Sequence, residues 1–334
     1  SLLFQQQTEC WGKSTPNQEN TEGVKSMLIL KRFIMMAVTI WVIVTVTFVI
    51  MHVIPGDPFA SDSTNYPPEV LANMRSEYHL DEPLPIQYVD YLRDLCTLDL
   101  GPSIEFKSRT VNQLIADGFP ASALLGLQAL VIAVFFGLLF GIVAALNHNG
   151  IVDYIVMGLA IFGISVPSFI LAPLLIKYFS VEWKLLPVAS WGTWRHSILP
   201  SLSLALMPMA IIARFIRSSM LEVLNQNYIK TADAKGIGIV SIIVKHAIRN
   251  AIIPVISFLG PLIAALITGT FVIEKIFAIP GLGKYFVDSI FNRDYPVILG
   301  TTVFFSVVLI IVLFVADLSY RLIDPRIKLT SKGD

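Results

Sequence analysis

A short polar segment between two long apolar runs carries residue types suited to contacting another protein. It covers residues 227–238, with the sequence Asn-Tyr-Ile-Lys-Thr-Ala-Asp-Ala-Lys-Gly-Ile-Gly. Residues 230–235 favour or tolerate a short helix, and Asp233 suits its first turn. Gly236 and Gly238 are able to take the left-handed conformation that ends a helix. The chemistry indicated is non-covalent docking by a short capped helix, and a solvated turn between two helices is the alternative.

Covalent and nucleotide chemistry is not indicated elsewhere in the sequence. Gly12-Lys13-Ser14 resembles the end of a phosphate-binding loop, but Gln7 stands where that motif needs its first glycine. Cys10 and Cys96 lack metal-ligand spacing, and the sequence contains no serine-hydrolase elbow, zinc-protease pair or kinase signature. We therefore predict that the chain is not an enzyme and holds no metal or cofactor of its own.

Coupling to an ion gradient usually leaves an ionisable residue inside a spanning helix. Five candidates fall near predicted helix ends, where an interfacial position is the simpler interpretation: His52, Asp153, Arg214, Glu274 and Asp317. This pattern argues against a proton-coupled carrier, although discontinuous helices can bind sodium through backbone carbonyls alone. If the chain transports a solute, we therefore expect the energy to come from another chain.

The composition indicates the structure that must position these residues. The 334-residue chain is 55% hydrophobic and 14% charged, and its net charge of 0 gives no basic field for nucleic acid. Its apolar residues fall in runs of about 20, long enough to cross a bilayer as helices. We predict an all-α polytopic membrane protein with six spans, near residues 33–53, 120–146, 151–179, 198–212, 251–273 and 297–316.

Local signals add detail to these spans. Pro167 and Pro173 predict a kinked third span. Close helix approach is predicted at five glycines: Gly126, Gly137, Gly141, Gly158 and Gly163. Residues 54–118 are rich in acidic residues and belong outside the cytoplasm, whereas the basic residues around 218–250 belong inside. Six spans then leave both termini in the cytoplasm.

The predicted domain organisation follows from these assignments. Residues 1–26 are polar and are expected to be an artificial extension or a disordered tail, because the apolar pattern begins just after Met27. The remaining parts are the cytoplasmic start and first span (27–53), a small extracytoplasmic cap with helices at 68–78 and 85–97 (54–118), the transmembrane core (119–322) with a cytoplasmic loop at 218–250, and a cytoplasmic tail (323–334).

The cytoplasmic loop contains Tyr-Ile-Lys-Thr-Ala-Asp-Ala-Lys-Gly at 228–236, Lys-His-Ala-Ile-Arg-Asn-Ala at 245–251, and Pro254. These residues resemble the EAA loop of the membrane subunits of ABC importers. Counting back from the glycine places Lys230, Thr231 and Ala232 at Glu-Ala-Ala, so the glutamate and first alanine are replaced. The distance to Pro254 is also longer than in many importers. These departures match the peptide-importing branch, as do the stretches at 55–58, 213–221 and 277–283.

The sequence is thus similar to the B-type permease subunit of an oligopeptide ABC importer. This resemblance implies a type I importer permease fold in a bacterial cell membrane, surrounded by lipid. It implies four partners: a second homologous permease, two ATPases that hold ATP and Mg, and an extracytoplasmic peptide-binding lipoprotein. It also implies that residues 231–237 form a coupling helix, within an ATPase-coupling segment made of Tyr228, Ile229, Lys230, Thr231, Ala232, Asp233, Ala234, Lys235, Gly236 and Ile237.

Alternatives remain at two levels. Dipeptide, nickel and metallophore importers share these motifs, and a stand-alone channel or secondary carrier is the alternative from a different class. Candidates for the translocation path, with ordinary helix packing as the alternative for each, are Ser165, Pro167, Met207, Met209, Phe258 and Thr268.

Overall fold

Most of the part of the chain that the structure describes is helical. The computed structural model describes residues 18–53, 59, 67–106, 108–268 and 270–323. The helices are α1 (Gln18–Val53), α2 (Pro68–Glu77), α3 (Leu84–Cys96), α4 (Val111–Leu146), α5 (Ile151–Ser165), α6 (Ser168–Leu175), α7 (Trp194–Leu224), α8 (Asn227–Ala234), α9 (Ile239–Ser241), α10 (Ile248–Ala251), α11 (Ile253–Thr268), α12 (Phe271–Ile276), α13 (Leu282–Asn292) and α14 (Tyr295–Ile323). Two π-helical stretches, Ile176–Glu182 and Ile242–Ala247, continue α6 and join α9 to α10.

Within the described residues, five helical stretches are long and apolar enough to cross a membrane. They are Leu30–Val53, Val111–Leu146, Trp194–Leu224, Ile253–Ile276 and Tyr295–Ala316. A sixth is obtained when Ile151–Ser165 and Ser168–Glu182 are counted as one bent span. The predicted all-α polytopic architecture is therefore confirmed.

The packing of α4 on α7 shows that the bent pair returns the chain across the bundle. A Cβ added at Gly137 would lie 2.8 Å from Ile212 Cβ, and four residues later Gly141 faces Ile216. The residue numbers rise together, so α4 and α7 run parallel. Two parallel helices need a crossing in the opposite direction between them, and α5 with α6 provides it.

The third span is broken rather than kinked, which corrects the prediction. α5 and α6 meet at 107°. Val166 is extended, with φ −96° and ψ 114°, because the ring of Pro167 disfavours the helical conformation in the residue before it. Pro173 lies inside α6 and does not cause the break.

Two predicted span boundaries are wrong, each for its own reason. α4 begins at Val111 rather than Pro120 because a capping box starts it. The Thr110 side chain accepts a hydrogen bond from the Gln113 backbone amide, and the Gln113 side chain accepts one from the Thr110 backbone amide. Residues 111–118 therefore belong to a span and not to the cap. α7 continues well beyond residue 212 because Ile216 and Met220 extend its buried stripe, so residues 218–224 of the predicted loop are helical.

The main core lies between α4 and α7, which share the most extensive helix contact in the described part of the chain. Four of the predicted close-approach glycines have this role, because an added Cβ at Gly126, Gly137, Gly141 or Gly163 would meet a neighbouring helix within 3.4 Å. The prediction is wrong for Gly158, where nothing lies within 4 Å.

The cap helices α2 and α3 were predicted to within one residue at each end. Tyr88 of α3 hydrogen-bonds Thr45 of α1 at 2.6 Å, and Gln87 lies 3.1 Å from His52. α3 thus packs on the C-terminal end of α1. We call this end of the bundle the α3 end and the opposite end, where α4 and α7 terminate, the α8 end. The predicted turn at 55–58 lies outside the described residues.

Candidate functional site

A short helix is present where the coupling helix was expected, but its limits differ from the prediction. α8 begins at Asn227, four residues before the expected start at Thr231, and ends at Ala234. Asp233 therefore lies in the last turn and not in the first. Gln226 precedes the helix in an extended conformation without a side-chain cap, so the start was not marked by a capping residue.

The two glycines after α8 have different conformations. Gly236 is left-handed at φ +76°, as predicted, and its amide bonds the Asp233 carbonyl at 2.9 Å. Gly238 has φ −57° and ψ 141° and begins α9, so the expectation of a second left-handed glycine is wrong. Only Gly236 ends the helix by conformation.

One side of α8 is seated on its own small hydrophobic core. Ile229 and Ala232 are buried there with Ile242, and the half-buried Val223 and Ile237 pack against them. Val223 belongs to the last turn of α7. The core therefore attaches α8 directly to the end of α7 and to the helical stretch that returns toward α11.

The other side of α8 is open. Exposed residues of the predicted coupling segment are Tyr228, Lys230, Thr231, Asp233, Ala234, Lys235 and Gly236. The Tyr228 hydroxyl accepts a hydrogen bond from the Asn250 side chain at 3.1 Å, and Thr231 donates to the Asn227 carbonyl at 2.9 Å. These bonds stabilise the segment locally and leave both lysines free to contact a partner.

An exposed apolar patch beside α8 was missed in the sequence. Ile239, Val240 and Val244 are 63%, 71% and 57% exposed. They line an open cleft with Gly238, Ser241 and Lys245. A short apolar run is typical of a buried segment, so the sequence alone does not indicate exposure. Only the fold shows that no other part of the described chain covers these side chains.

A buried ion pair fixes the last part of α7. Arg217 donates from Nε to Asp153 Oδ1 at 2.5 Å and from Nη2 to Oδ2 at 2.6 Å, and Asp153 is 1% exposed. The Asn149 amide also donates to Asp153, at 3.1 Å. Asp153 was expected near a span end, and the structure adds that its carboxylate is buried in an ion pair. The sequence signal for this ion pair was the presence of opposite charges near the ends of the third and fourth spans.

The side of α7 away from α4 carries an open stripe at helical spacing. Its members are Met207, Ile211, Arg214 and Ser218, of which all but the half-buried Ile211 are exposed. The exposed stripe of α4 is different, being wholly apolar along Leu124, Leu127, Val131, Phe135 and Leu139. The α4 stripe suits lipid, whereas the α7 stripe suits a polar path or another subunit.

The predicted path residues do not form one cluster. Met207 lies on the open stripe, and Phe258 lies beside it, in ring contact with Phe215 at 5.6 Å between centroids. Ser165 and Pro167 are exposed at the α5–α6 break.

The remaining two path candidates are partly covered. Met209 is half-buried in an apolar cavity of about 340 Å³ between α5, α6 and α7. Thr268 is half-buried, and its hydroxyl donates to the Ala264 carbonyl of its own helix at 2.8 Å. Their surroundings are those of ordinary helix packing.

A buried carboxylate at the α3 end explains the glycines at 281 and 283. Glu274, expected at an interface, is fully buried and bonds the Thr270 hydroxyl and the Gly283 amide, the latter at 2.8 Å. A side chain on Gly281 would overlap this carboxylate. The Leu282 amide donates to Ser122 at 2.9 Å, so the same turn holds α13 against α4. Among the described residues, no group of three or more His, Cys, Asp or Glu could hold a metal ion.

Comparison with known proteins identifies the family. The family described as binding-protein-dependent transport system inner membrane component matches residues 137–329, and its N-terminal companion family matches residues 26–126. The chain belongs to this family of transport permeases. It is therefore a multi-pass inner-membrane transport subunit and not an enzyme, and no cofactor is expected within it. Membership implies ATPase and binding-protein partners.

Individual relatives are similar over nearly their whole length. The dipeptide transport system permease protein DppB of Bacillus subtilis is 58% identical over 306 residues, which are 91% of this chain and 99% of that protein. The oligopeptide transport system permease proteins OppB of Haemophilus influenzae and Escherichia coli K12 are 44% and 42% identical over 302 residues, 90% of this chain and 98% of theirs.

Solved structures support the fold alone. An inward-facing structure of the MetNI methionine ABC transporter matches with a TM-score of 0.53 at 16% identity, over 64% of this chain and 97% of that one. An amino acid ABC transporter with histidines gives 0.51 at 15%, over 63% and 94%. The predicted importer permease fold is confirmed.

Proposed function

We propose that this chain is a membrane-spanning permease subunit of an ATP-driven importer of peptides in a bacterial cell membrane. The observation that carries the proposal is the near full-length identity to permeases named for dipeptide and oligopeptide transport. Oligopeptides were the substrate expected from sequence motifs. The higher identity to DppB favours dipeptides as the second candidate, and a nickel or metallophore substrate has no relative of comparable identity among those described above.

The docking proposal assigns the open side of α8 to an ATPase subunit. Its support is the division of α8 into a seated side, built on Ile229 and Ala232, and an exposed side that carries Lys230 and Lys235. We extend this docking surface to the exposed patch of Ile239, Val240 and Val244, because an uncovered apolar patch beside a short helix suits a protein partner. ATP and Mg belong to the two ATPase subunits.

Movement of a docked ATPase would reach the membrane through α7. The support is the shared core in which Val223 of α7 touches the α8 seat, together with the buried pair of Arg217 and Asp153. Any displacement of α8 acts on a helix that is packed along α4 over most of its length. We propose that α7 moves as a lever when nucleotide closes the ATPases.

The translocation path is proposed to run along the open stripe of α7, completed by the second homologous permease. Met207 belongs to this surface directly, Phe258 borders it, and Ser165 with Pro167 lie at its α5–α6 margin. Met209 and Thr268 remain candidates that packing partly covers.

The peptide-binding lipoprotein is assigned to the α3 end, with both termini in the cytoplasm. An impermeant thiol reagent on intact cells should then label the exposed Cys96; lack of labelling, in a protein whose Cys96 reacts once solubilised, contradicts this orientation.

Reconstitution in vesicles tests the transport proposal. The chain with its second permease, both ATPases and the binding protein should take up a labelled peptide only with enclosed ATP on the cytoplasmic side. The same chain alone should take up none. Uptake by the single chain would instead support the stand-alone channel or carrier, and failure of the complete assembly with both dipeptides and oligopeptides would contradict a peptide substrate.

A further inference from the structure

Arg214 is an exposed cation within the membrane-spanning helix α7. It lies ten residues before the end of the helix, about 15 Å along its axis. No residue that the structure describes forms a hydrogen bond or ion pair with its guanidinium. An uncompensated charge facing hydrocarbon is costly, so this side chain needs water or an anion.

Arg217 shows that α7 already has its structural arginine. One turn after Arg214, Arg217 forms two charge-assisted bonds with the buried Asp153 and is only 23% exposed. The two arginines lie one turn apart on the same helix. Arg214 is exposed, whereas the guanidinium of Arg217 is held by Asp153. The ion pair that ties α7 to α5 is therefore made by Arg217 and not by Arg214.

The surroundings of Arg214 form a cleft without a counter-charge. The cleft has a volume of about 600 Å³ and is lined by Met157, Ile164, Ile211, Arg214, Phe215, Arg217 and Ser218. No carboxylate lies among these residues, and Asp153 is occupied by Arg217. An apolar wall focuses the field of a lone guanidinium, which attracts carboxylate or phosphate oxygens.

We propose that Arg214 binds carboxylates of the transported peptide at the α8 end of the path, and so favours acidic over basic peptides during translocation. The inference rests on the proposed function, because it needs a peptide to pass along α7. Every free peptide carries a terminal carboxylate, and an acidic side chain adds a second one. A lipid phosphate offers the same chemistry, so the test must separate the two sources.

The test uses the complete importer in vesicles and three tripeptides that differ only in a central Glu, Gln or Lys. Uptake by each variant is divided by uptake of the same peptide by the wild type, which cancels the preference of the unchanged binding protein. Arg214→Gln should lower this ratio for the Glu peptide roughly fivefold relative to the Lys peptide. Arg214→Lys should keep the ratios close to one another, because it keeps the charge.

Lys177→Gln is the matched control, since it removes another exposed cation, from the π-helical stretch Ile176–Glu182 that continues α6. It should lower no ratio selectively. Each measurement is made in vesicles with and without anionic phospholipid, on importers shown to contain all subunits. The selective loss for the Glu peptide should be the same in both lipids.

Three results overturn the proposal. Equal ratios for the three peptides in Arg214→Gln, whether near one or all reduced, exclude the proposed preference for acidic over basic peptides. A reduction that depends on anionic lipid and not on the peptide assigns Arg214 to a lipid phosphate. The same selectivity change in Lys177→Gln makes the effect non-local. Failure of the wild-type importer to take up any of the peptides would contradict the proposed function instead.

Discussion

The two sides of α7 differ in what covers them. One side is closed by α4, where Ile212, Ala213 and Ile216 meet glycines and leave no gap for a methyl group. The other side is open and carries Met207, Arg214 and Ser218. The closed side needs only this chain to be complete, whereas the open side needs something that this chain does not supply. Stability is therefore concentrated on one side of the helix and function on the other.

The side of α7 that packs against α4 should be destabilised even by one added methyl group. Gly141→Ala would drive a methyl group into the Ile216 side chain and the Ala213 carbonyl oxygen, and the carbonyl belongs to a helix that cannot shift alone. We expect a loss of about 3 kcal/mol in stability, at the upper end of overpacking effects. Thermal unfolding of the solubilised protein measures it.

Gly158→Ala is the control for this change. It also adds one methyl group to a glycine within a membrane helix, but nothing lies within 4 Å of the new atom. Stability should stay unchanged or rise slightly, because alanine is the better helix former. Equal losses for the two variants would show that α4 and α7 are not closed against each other.

The next largest effect is expected where α5 is tied to α7. Asp153→Asn removes the charge that pairs with Arg217 and leaves a largely buried guanidinium with a weaker partner. We expect a loss of about 2 kcal/mol, less than for a fully buried pair because Arg217 keeps some contact with solvent. Asp117→Asn is the control, since Asp117 pairs with Arg109 at the surface with 63% of its side chain exposed, and should change stability by under about 1 kcal/mol. Similar losses at both sites would contradict the assigned difference in burial.

A smaller effect should distinguish the two glycines that follow α8. Gly236→Val forces a β-branched residue into the left-handed conformation, at a cost of about 1 to 2 kcal/mol to the local fold. Gly238→Val should be tolerated, because Gly238 has an ordinary φ and, like Gly236, open space around it. Limited proteolysis of the loop should therefore speed up only for Gly236→Val. Equal protection in both variants would contradict the left-handed cap.

The smallest effect concerns an exposed pair far from α7. Glu82 lies 3.0 Å from His79 Nδ1, and this hydrogen bond, helped by Asp90 and Asp94, raises the pKa of His79 above its ordinary 6.5. The protonated form is favoured, so the contribution to stability is present below pH 6.5 and is lost as the pH rises through the higher folded pKa. Glu82→Gln should lower the midpoint of the His79 titration measured by NMR. An unchanged midpoint would show that Glu82 does not raise the pKa of His79.

The sequence predicted those features that depend on composition and local pattern. Apolar runs located the spans, prolines located the cap helices, and helix propensity together with the family resemblance located α8 within residues 227–238. The predicted helix boundaries were wrong where the boundary depends on local backbone geometry. The capping box at Thr110 extended α4, and Pro167 ended a helix that a kink alone was expected to bend.

The site was less predictable than the fold because its organisation depends on which side of a helix is covered. Ala232 looked like a docking residue in sequence, yet it is buried against Ile242 of this same chain. The exposure of Ile239 and Val240 was not indicated by the sequence either. Burial of Asp153 and Glu274 likewise depends on partners distant in sequence, which no single-sequence pattern identifies.

The central claim is that the exposed side of α8 binds an ATPase while its buried side only holds it in place. Ala234→Tyr places a ring on the exposed side without touching the seat formed by Ile229 and Ala232. Ala116→Tyr adds the same ring to an exposed helical alanine at the α3 end. The dissociation constant for purified ATPase subunits, measured with the detergent-solubilised permease pair, should rise roughly tenfold for Ala234→Tyr and stay at the wild-type value for Ala116→Tyr, with unfolding temperatures unchanged in both. Wild-type binding by Ala234→Tyr would contradict the assignment of α8 as the docking element.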